Sequence, residues 1–327
     1  MRPFHHQKDR NSRSKSHSSG YARPSVRPLP PRPVNEADAS FLAGIPIDPS
    51  PRIRLEDGSQ ELTMRAMDLI CPIGMGQRGL IVAPPGSGKT TFLKHICQAV
   101  GKSQPQMKLY CLLVDERPEE VTDFRRSVVA DVRASSSDQS YDHHVQAADD
   151  LMRQAMREAG AGENVMILID SLTRLARVHN AERVSSGRTI SGGLDARALE
   201  VPRRIFGAAR KIEHGGSLTI LATILVDTGS RMDQVIFEEF KGTGNMEIVL
   251  SREISNRRIF PAIDIPKSAT RKMELLLSPE ELKPVDMMRR VLAGMNPVEA
   301  ASRLVEQLQK FPTNKELIAA ISLHDER

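Results

Sequence analysis

The sequence of 327 residues contains no tryptophan, and its aromatic residues together make up only 4% of it. That scarcity argues against a large aromatic binding surface. There are only three cysteines, Cys71, Cys97 and Cys111, and no two of them form a CxxC pair. Their spacing therefore does not indicate a metal site, and we expect three buried, reduced thiols. Such cysteine usage is typical of a reducing cytosol, which predicts a cytoplasmic protein.

Long apolar runs are also absent. No eighteen consecutive residues are apolar, so no transmembrane helix is predicted. The N-terminus has no apolar core of a secretory signal. We therefore expect no membrane partner.

Acidic residues are scarce at the front of the chain. Residues 1–34 hold eight Lys or Arg but only Asp9, a formal charge of +7, whereas the whole chain carries +5. Five prolines fall between Pro24 and Pro33. Such a segment buries too little apolar surface to fold, so residues 1–45 are predicted to be a disordered basic tail. Two roles stay open, a solubilising spacer or an arm that attracts nucleic-acid phosphates.

From about Arg52 onward, short apolar strands alternate with amphipathic helices. The predicted strands are residues 80–82, 109–114, 165–169 and 218–226, and the predicted helices between them are 90–100, 118–128 and 144–159. This alternation predicts an α/β fold with a mostly parallel sheet covered by helices on both faces. After Phe260, residues 279–293, 297–310 and 313–322 are predicted to form a C-terminal helical segment.

A glycine-rich segment, APPGSGKT at residues 83–90, lies between the first predicted strand and its helix. Glycines there let backbone N–H groups turn toward an anion, and the helix adds its positive end. This context predicts a P-loop for ATP and Mg²⁺, although the strict pattern has glycine in place of Ala83. Lys89 is predicted to reach the β- and γ-phosphates, and Thr90 to offer a hydroxyl to Mg²⁺. The predicted nucleotide-binding residues are Pro85, Gly86, Ser87, Gly88, Lys89, Thr90 and Thr91.

Carboxylates follow three of the predicted strands, where ligands bind on parallel sheets. VMILIDS at residues 165–171 looks like a Walker B strand, which predicts that Asp170 holds the Mg²⁺ water shell. A helix cap is the alternative for Asp170. Glu116, placed on a strand next to the P-loop strand, is the predicted group that orients the attacking water. A surface acidic cluster is the alternative for Glu116.

Arginines and polar loops complete the pattern. An arginine is expected to stabilise charge on the γ-phosphoryl group, but spacing alone does not choose among the candidates. These are Arg174, Arg177, Arg203, Arg204, Arg258 and Arg271. The polar segments 185–193 and 227–231 each carry one basic side chain, so they are candidate loops for a polymer ligand. Ordinary surface loops are the alternative.

Several segments closely resemble the motor domain of the bacterial transcription termination factor Rho family. They are GQRGLIVAPP (76–85), DERPEEV (115–121), DSLTRLAR (170–177), FGAAR (206–210), DTGS (227–230) and EEFKGTGNME (238–247). The resemblance runs from about Arg52 to the C-terminus with order and spacing kept, and Ala83 is the residue this family uses. It implies a RecA-like P-loop ATPase that forms a hexameric ring and translocates along single-stranded RNA in transcription termination.

The resemblance also implies roles for individual residues. Lys89 and Thr90 match the phosphate and Mg²⁺ ligands, Glu116 the catalytic glutamate and Asp170 the Walker B aspartate. Arg271 matches an arginine finger that acts across a subunit interface. Arg117 matches an arginine that senses the γ-phosphate, and Arg174 matches a member of the intersubunit network. Phe260 matches the residue that packs on adenine. The segment 185–193 matches the family's first RNA loop in the central channel, with Gly187, Arg188 and Thr189 as its RNA-binding residues. The segment 227–231 matches the second RNA loop, with Gly229, Ser230 and Arg231. Residues 46–75 are then a lead-in segment packing on the motor, and residues 76–327 the motor with its C-terminal helices.

Two departures from the family pattern matter. Gly86 stands where many members have a second lysine, and we expect at most an altered nucleotide affinity. In front of the motor the family normally has a helical subdomain and an OB-type RNA-binding domain, whereas this sequence shows the basic tail. We therefore hypothesise that residues 1–34 capture RNA by charge, with RNA polymerase or the nascent transcript as partner. The alternatives are a ring motor on single-stranded DNA, a catalytic subunit like that of the rotary ATP synthase, and an ATP-binding regulatory partner of full-length Rho or RNA polymerase. Keeping Lys89, Glu116, Asp170 and Arg271 together argues against the regulatory partner.

Overall fold

A computed structural model describes residues 36–182, 189–190, 193–195 and 197–325. The helices, in chain order, are α1 (Glu36–Ala43), α2 (Leu62–Ile70), α3 (Lys89–Ser103), α4 (Pro118–Ser127), α5 (Tyr141–Gly160), α6 (Leu172–Glu182), α7 (Glu200–Gly207), α8 (Arg231–Phe240), α9 (Arg252–Asn256), α10 (Pro279–Ala293), α11 (Pro297–Lys310) and α12 (Asn314–Asp325). The strands are β1 (Pro46–Ile47), β2 (Arg52–Ile53), β3 (Ile73–Gly74), β4 (Arg78–Ala83), β5 (Lys108–Glu116), β6 (Asp131–Ser136), β7 (Asn164–Asp170), β8 (Thr189–Ile190), β9 (Leu194–Asp195), β10 (Arg210–Ile212), β11 (Ser217–Leu225), β12 (Met246–Val249) and β13 (Ala269–Thr270).

The central sheet has the strand order β13-β12-β4-β11-β7-β5-β6. From β12 to β6 every neighbouring pair is parallel. The antiparallel pairs are β13 with β12, β10 with β11 and β1 with β10. The predicted mostly parallel sheet is confirmed. Helices follow β4, β5, β6, β7 and β11, as crossover connections between parallel strands require.

The predicted position of the Glu116 strand is wrong in one respect. β5 does not lie next to the P-loop strand β4, because β11 and β7 pair between them. Both intervening strands come later in the chain than β5. Local hydrophobic patterns identify strands but carry no information about which strand from a later crossover will be inserted between them.

Two hydrophobic clusters cover the two faces of the sheet. Ile81 belongs to the cluster that includes α3 and α11, whereas its neighbours Leu80 and Val82 belong to the cluster that includes α5 and α6. Successive side chains of a strand point to opposite faces, so burial on both faces explains the continuous apolar runs. All three cysteines are buried and free, as expected from the sequence.

The predicted disordered tail reached too far along the chain. Helix α1 begins at Glu36, and Phe41 is only 2% exposed because it packs in the same cluster as α5 and α6. β1 then pairs with β10. The rest of the predicted tail lies outside the described residues. Within the described part of the chain, no helix is both long and apolar enough to span a bilayer.

The C-terminal helices begin at recognisable caps. Ser278 and Glu281 form a capping box at the start of α10, and the Asn296 side chain accepts a hydrogen bond from the backbone N–H of Glu299 in α11. A proline occupies the first position of both helices. These local signals explain why the predicted bounds of α10 and α11 agree with the structure. Leu304 and Leu308 of α11 pack in the same cluster as α2 and α3, so this helical segment supports the sheet from one side.

Candidate active site

The glycine-rich segment forms an anion-binding cradle between β4 and α3. Gly86 and Gly88 have positive φ angles of 78° and 88°, a conformation that glycine adopts without strain. Nothing lies within 4 Å of the position that a Cβ would take at Gly86. The Ser87 hydroxyl donates to the Pro84 carbonyl at 2.8 Å and closes the turn. Backbone N–H groups at the start of α3 are therefore available to phosphate oxygens.

A second segment holds this cradle from outside. The Ser255 hydroxyl, on α9, donates to the Gly86 carbonyl at 3.1 Å. The Phe260 ring comes within 4.0 Å of the position that a Cβ would take at Gly88, and 46% of this residue is exposed. A partly exposed ring beside the phosphate cradle fits the predicted contact with adenine, which stays a prediction.

Two strand-end carboxylates converge on the P-loop lysine. Nζ of Lys89 lies 2.6 Å from Oδ2 of Asp170 and 3.6 Å from Oε1 of Glu116. Asp170 ends β7 and also accepts a hydrogen bond from Thr223 Oγ1 of β11 at 2.8 Å. The sheet thus brings together Lys89, Glu116 and Asp170, three residues that the sequence predicted to share a site.

Glu116 is the electrostatically perturbed group of this cluster. Burial, followed by the charge of Asp170, raises its pKa to about 7, whereas Lys89 and Arg174 act in the opposite direction. The residue is only 4% exposed. Neither of its carboxylate oxygens accepts a hydrogen bond within the described residues, although both form ion pairs. A carboxylate with free acceptor capacity and a pKa near neutrality suits a group that orients and deprotonates water.

An irregularity in the backbone of β5 directs the Glu116 side chain toward the site, although β11 and β7 lie between β5 and the P-loop strand β4. The register between β5 and β6 shifts between Val114 and Glu116, and Asp115 has a positive φ of 54°. A bulge of this kind re-aims the side chain that follows it. Sequence analysis did not predict the bulge.

Arg174 lies in the first turn of α6 and contacts the same carboxylate. Its Nη2 lies 3.2 Å from Oε2 of Glu116, and its Nη1 lies 3.6 Å from Oδ2 of Asp115 and also donates to the Asp115 carbonyl. These partners belong to its own chain, so Arg174 tunes Glu116 directly. Arg117 is exposed and pairs with Glu120 at 3.5 Å. The intersubunit role of Arg174 and the γ-phosphate role of Arg117 stay predictions.

Arg271 lies at the other end of the strands. It follows β13, in which Thr270 pairs with Met246 of β12, and Met246 pairs with Gly79 near the start of β4. The P-loop follows the opposite end of β4, a strand of six residues, or about 20 Å at 3.3 Å per residue. Arg271 therefore lies far from the P-loop of its own chain.

The two predicted RNA loops are described unequally. Gly187 and Arg188 lie outside the described residues, and Thr189 belongs to β8, which pairs with β9. The second loop follows β11, at the sheet end that carries the P-loop. There Gly229 has a positive φ of 78°, and Arg231 begins α8 with its side chain exposed.

Sequence analysis missed a residue that shapes the second loop. Asp233 is 1% exposed and accepts a hydrogen bond from Thr228 Oγ1 at 2.6 Å. It also accepts hydrogen bonds from Nε and Nη2 of Arg177 at 2.8 and 2.5 Å. The Ser230 side chain in turn caps α8. The spacing Ser230-x-x-Asp233 is a helix-start signal that could have identified this arrangement.

The oxygen donors near the P-loop fit Mg²⁺. Thr90 offers a hydroxyl from the first turn of α3, and Asp170 offers a carboxylate from β7. Magnesium in nucleotide enzymes is commonly held by one or two protein oxygens together with substrate phosphates. The described residues contain no group of three or more His, Cys, Asp or Glu that could hold a metal ion.

The fold and this site define a P-loop ATPase. Residues 63–270 match the ATP synthase alpha/beta family, nucleotide-binding domain. A prototypical ATPase from the type III secretion system of pathogenic bacteria has the same fold, with a TM-score of 0.67 and 24% identity over 84% of this chain and 85% of that chain. The assembled type III secretion ATPase EscN from enteropathogenic E. coli gives a TM-score of 0.67 and 25% identity over 84% of this chain and 71% of that chain.

More specific similarity is to transcription termination factor Rho. The chain is 50% identical to Rho from Aquifex aeolicus over 301 residues, which are 91% of this chain and 69% of that protein. It is 51% identical to Rho from Haemophilus influenzae over 286 residues, 86% of this chain and 68% of that protein. For Rho from Mycobacterium tuberculosis the identity is 50% over 277 residues, 85% of this chain and 46% of that protein. This chain belongs to the transcription termination factor Rho family, and the resemblance seen in the sequence is confirmed.

Proposed function

We propose that this chain is an ATP-dependent, RNA-stimulated ring translocase that acts in transcription termination. The observation that carries the proposal is the convergence of Lys89, Glu116 and Asp170 beside a P-loop, in a chain about 50% identical to Rho. Two further members of the predicted set support the proposal. Phe260 lies beside the P-loop, and residues 227–231 lie at the same end of the sheet.

In the proposed reaction, water attacks the γ-phosphorus of ATP and the bond between that phosphorus and the β,γ-bridging oxygen breaks. Glu116 orients the water and accepts its proton, while Lys89 and the N–H groups of the cradle hold the phosphates. Thr90 and Asp170 would hold Mg²⁺, which when bound neutralises phosphate charge. Because the pKa of Glu116 is about 7, a substantial fraction of this carboxyl is ionised at neutral pH.

Arg271 supports assembly into a ring. It lies at the opposite end of β4 from its own P-loop, so it can contact a γ-phosphate only in a neighbouring chain. An arginine supplied in trans stabilises charge in the transition state and makes hydrolysis depend on assembly. We propose a closed homo-hexamer, in keeping with the family and with EscN, which was solved as an assembled ATPase.

Single-stranded RNA is the proposed polymer. Arg231 is exposed in the first turn of α8, directly after a loop in which Asp233 holds the Thr228 side chain. An arginine there can pair with RNA phosphates. Arg188 is proposed for the same role. We further propose that the chain acts in the cytoplasm, with the nascent transcript or RNA polymerase as its partner.

The test is steady-state ATP hydrolysis by the purified chain with and without poly(C), poly(U) and single-stranded DNA, at low and moderate salt. RNA should stimulate turnover strongly and DNA should not. The variant Lys89→Ala controls for contaminating ATPases, and Arg231→Ala should weaken stimulation without abolishing basal turnover. Turnover that no polymer changes would contradict the translocase and favour the ATP-binding regulatory partner, whereas equal stimulation by DNA would favour a DNA motor.

A further inference from the structure

The turn between α8 and β12, residues 241–245, is the centre of the longest family match, yet neither nucleotide nor RNA binding uses it. Its sequence is KGTGN. Gly242 has a positive φ of 78°. A Cβ at Gly244 would lie 2.9 Å from the carbonyl oxygen of Arg78 and 3.2 Å from that of Met246, so a side chain there would press against backbone. Both glycines are therefore required by the shape of the turn.

Asn245 joins this turn to the start of the P-loop strand. Its Oδ1 accepts hydrogen bonds from the Gln77 side-chain amide at 2.6 Å and from the Arg78 backbone N–H at 2.8 Å. Its own backbone N–H donates to the Arg78 carbonyl at 2.9 Å. Three hydrogen bonds thus fix Asn245 to the two residues at the entry to β4.

The same turn holds Arg271. The backbone N–H of Arg271 donates to the Asn245 carbonyl at 2.8 Å, and its Nη2 donates to the Gly242 carbonyl at 3.4 Å. Arg78 adds a further link, because its Nε donates to the Thr243 carbonyl at 2.6 Å. Three carbonyls of one short turn are thus used by the two arginines.

The turn holds two positively charged side chains, Arg78 and Arg271, close to each other. Burial, followed by the neighbouring charges of Arg210 and Arg271, lowers the pKa of Arg78. The guanidinium groups of Arg78 and Arg271 are therefore close enough to repel each other. Backbone carbonyls that accept from each of them offset this repulsion and set the direction in which Arg271 projects.

We propose that Asn245 is a positioning residue for Arg271, the arginine that serves the ATP site of the neighbouring chain. This inference rests on the proposed function. Asn245 connects the backbone of Arg271 to the entry of β4, and β4 leads to the P-loop of the same chain. The turn therefore fixes the position of Arg271 relative to β4. Arg271 serves the ATP site of a neighbouring chain, whereas β4 leads to the ATP site of its own chain.

The variants Asn245→Ala, Arg271→Ala and their double variant test this connection in the full chain. Asn245→Ala leaves the Gln77 amide and the Arg78 N–H without their acceptor, so Arg271 loses its fixed position. We expect RNA-stimulated kcat to fall about ten- to a hundredfold, with KM for ATP changed less than about threefold, because the finger acts mainly in the transition state. The double variant should be no slower than Arg271→Ala alone, since Asn245 acts through Arg271.

A conservative variant separates positioning from a general structural role. The hydrogen bonds at the Asn245 side chain use only its acceptor oxygen, so Asn245→Asp should keep kcat within about threefold of the wild type. If Asn245→Ala does not assemble into rings, Arg78→Lys replaces it. Arg78→Lys removes the donor to Thr243 and should lower kcat in the wild type but not in the Arg271→Ala background.

The outcomes distinguish this inference from the proposed function. Turnover near the wild-type value in Arg271→Ala would refute the finger and the proposed mechanism together. A large loss in Arg271→Ala with wild-type turnover in Asn245→Ala and Arg78→Lys would refute only the positioning role. Losses that multiply in the double variant, or an Asn245→Asp variant as slow as Asn245→Ala, would also refute it.

Discussion

Replacing Arg174 with glutamine removes the cation that lies nearest to Oε2 of Glu116 and leaves a shorter, neutral polar side chain. The Arg174 guanidinium lies 3.2 Å from that oxygen and opposes the rise in the pKa of Glu116. Burial and the charge of Asp170 raise the pKa of Glu116, and without Arg174 only the cation of Lys89 still lowers it. The pKa of Glu116 should therefore rise above its present value of about 7.

The size of the shift follows from distance and screening. At 3.2 Å and an effective dielectric constant of about 20, the attraction between the two charges is about 5 kcal/mol. The Arg174 side chain is 27% exposed, so solvent reduces this value. An opposite charge at such a distance commonly changes a carboxyl pKa by about 1–3 units, and we expect an increase of about 1.5 units here.

The assay is the pH dependence of kcat/KM for RNA-stimulated ATP hydrolysis between pH 6 and 9.5. Glu116 must be ionised to accept a proton from water, so activity should rise with pH through the pKa of this group. The acid limb should lie near pH 7 in the wild type and near about pH 8.5 in Arg174→Gln. At pH 7.5 the ionised fraction would fall from about three quarters to about one tenth, and high pH would restore activity.

The control is Arg174→Lys, which keeps the positive charge and should keep the acid limb within about half a unit of the wild type. An acid limb that stays near pH 7 in Arg174→Gln, with activity lowered equally at every pH, would refute the electrostatic reasoning. In that case Arg174 would act through subunit contacts instead.

Two further predictions concern stability and nucleotide affinity. The pKa of Glu116 is raised on folding, so the wild type loses stability as pH rises from about 4.5 through 7, and Glu116→Gln escapes this loss. Glu116→Gln should therefore be more stable than the wild type at pH 8, by at most about 3 kcal/mol, and close to the wild type at pH 4.5. Denaturant unfolding measures both stabilities, and a variant less stable than the wild type at pH 8 would contradict the prediction. Phe260→Ala should raise KM for ATP roughly three- to tenfold with little change in melting temperature, because its ring lies beside the P-loop and is 46% exposed; an unchanged KM would exclude a base contact.

The sequence predicted the elements that depend on nearest neighbours along the chain. The P-loop could be read from its glycines because the strand, the turn and the helix are contiguous, and the structure places them as expected. The bounds predicted for α10 and α11 agree with the structure, where Ser278 and Asn296 cap the first N–H groups of their own helices. Residue identity also predicted the chemistry of Glu116 and Asp170, since each carboxylate ends an apolar strand.

Tertiary structure alone decided how these elements meet. β11 and β7 separate β5 from β4, and a bulge at Asp115 returns Glu116 to the P-loop; neither follows from local pattern, because strand order is set by pairing between distant segments. The pKa of Glu116 likewise depends on burial and on Arg174, which α6 supplies. Asn245 shows the same limit, since its contacts with Arg78 and Arg271 join three segments far apart in the chain. The sequence determined which groups can do the chemistry, and long-range packing determined their distances and their charges.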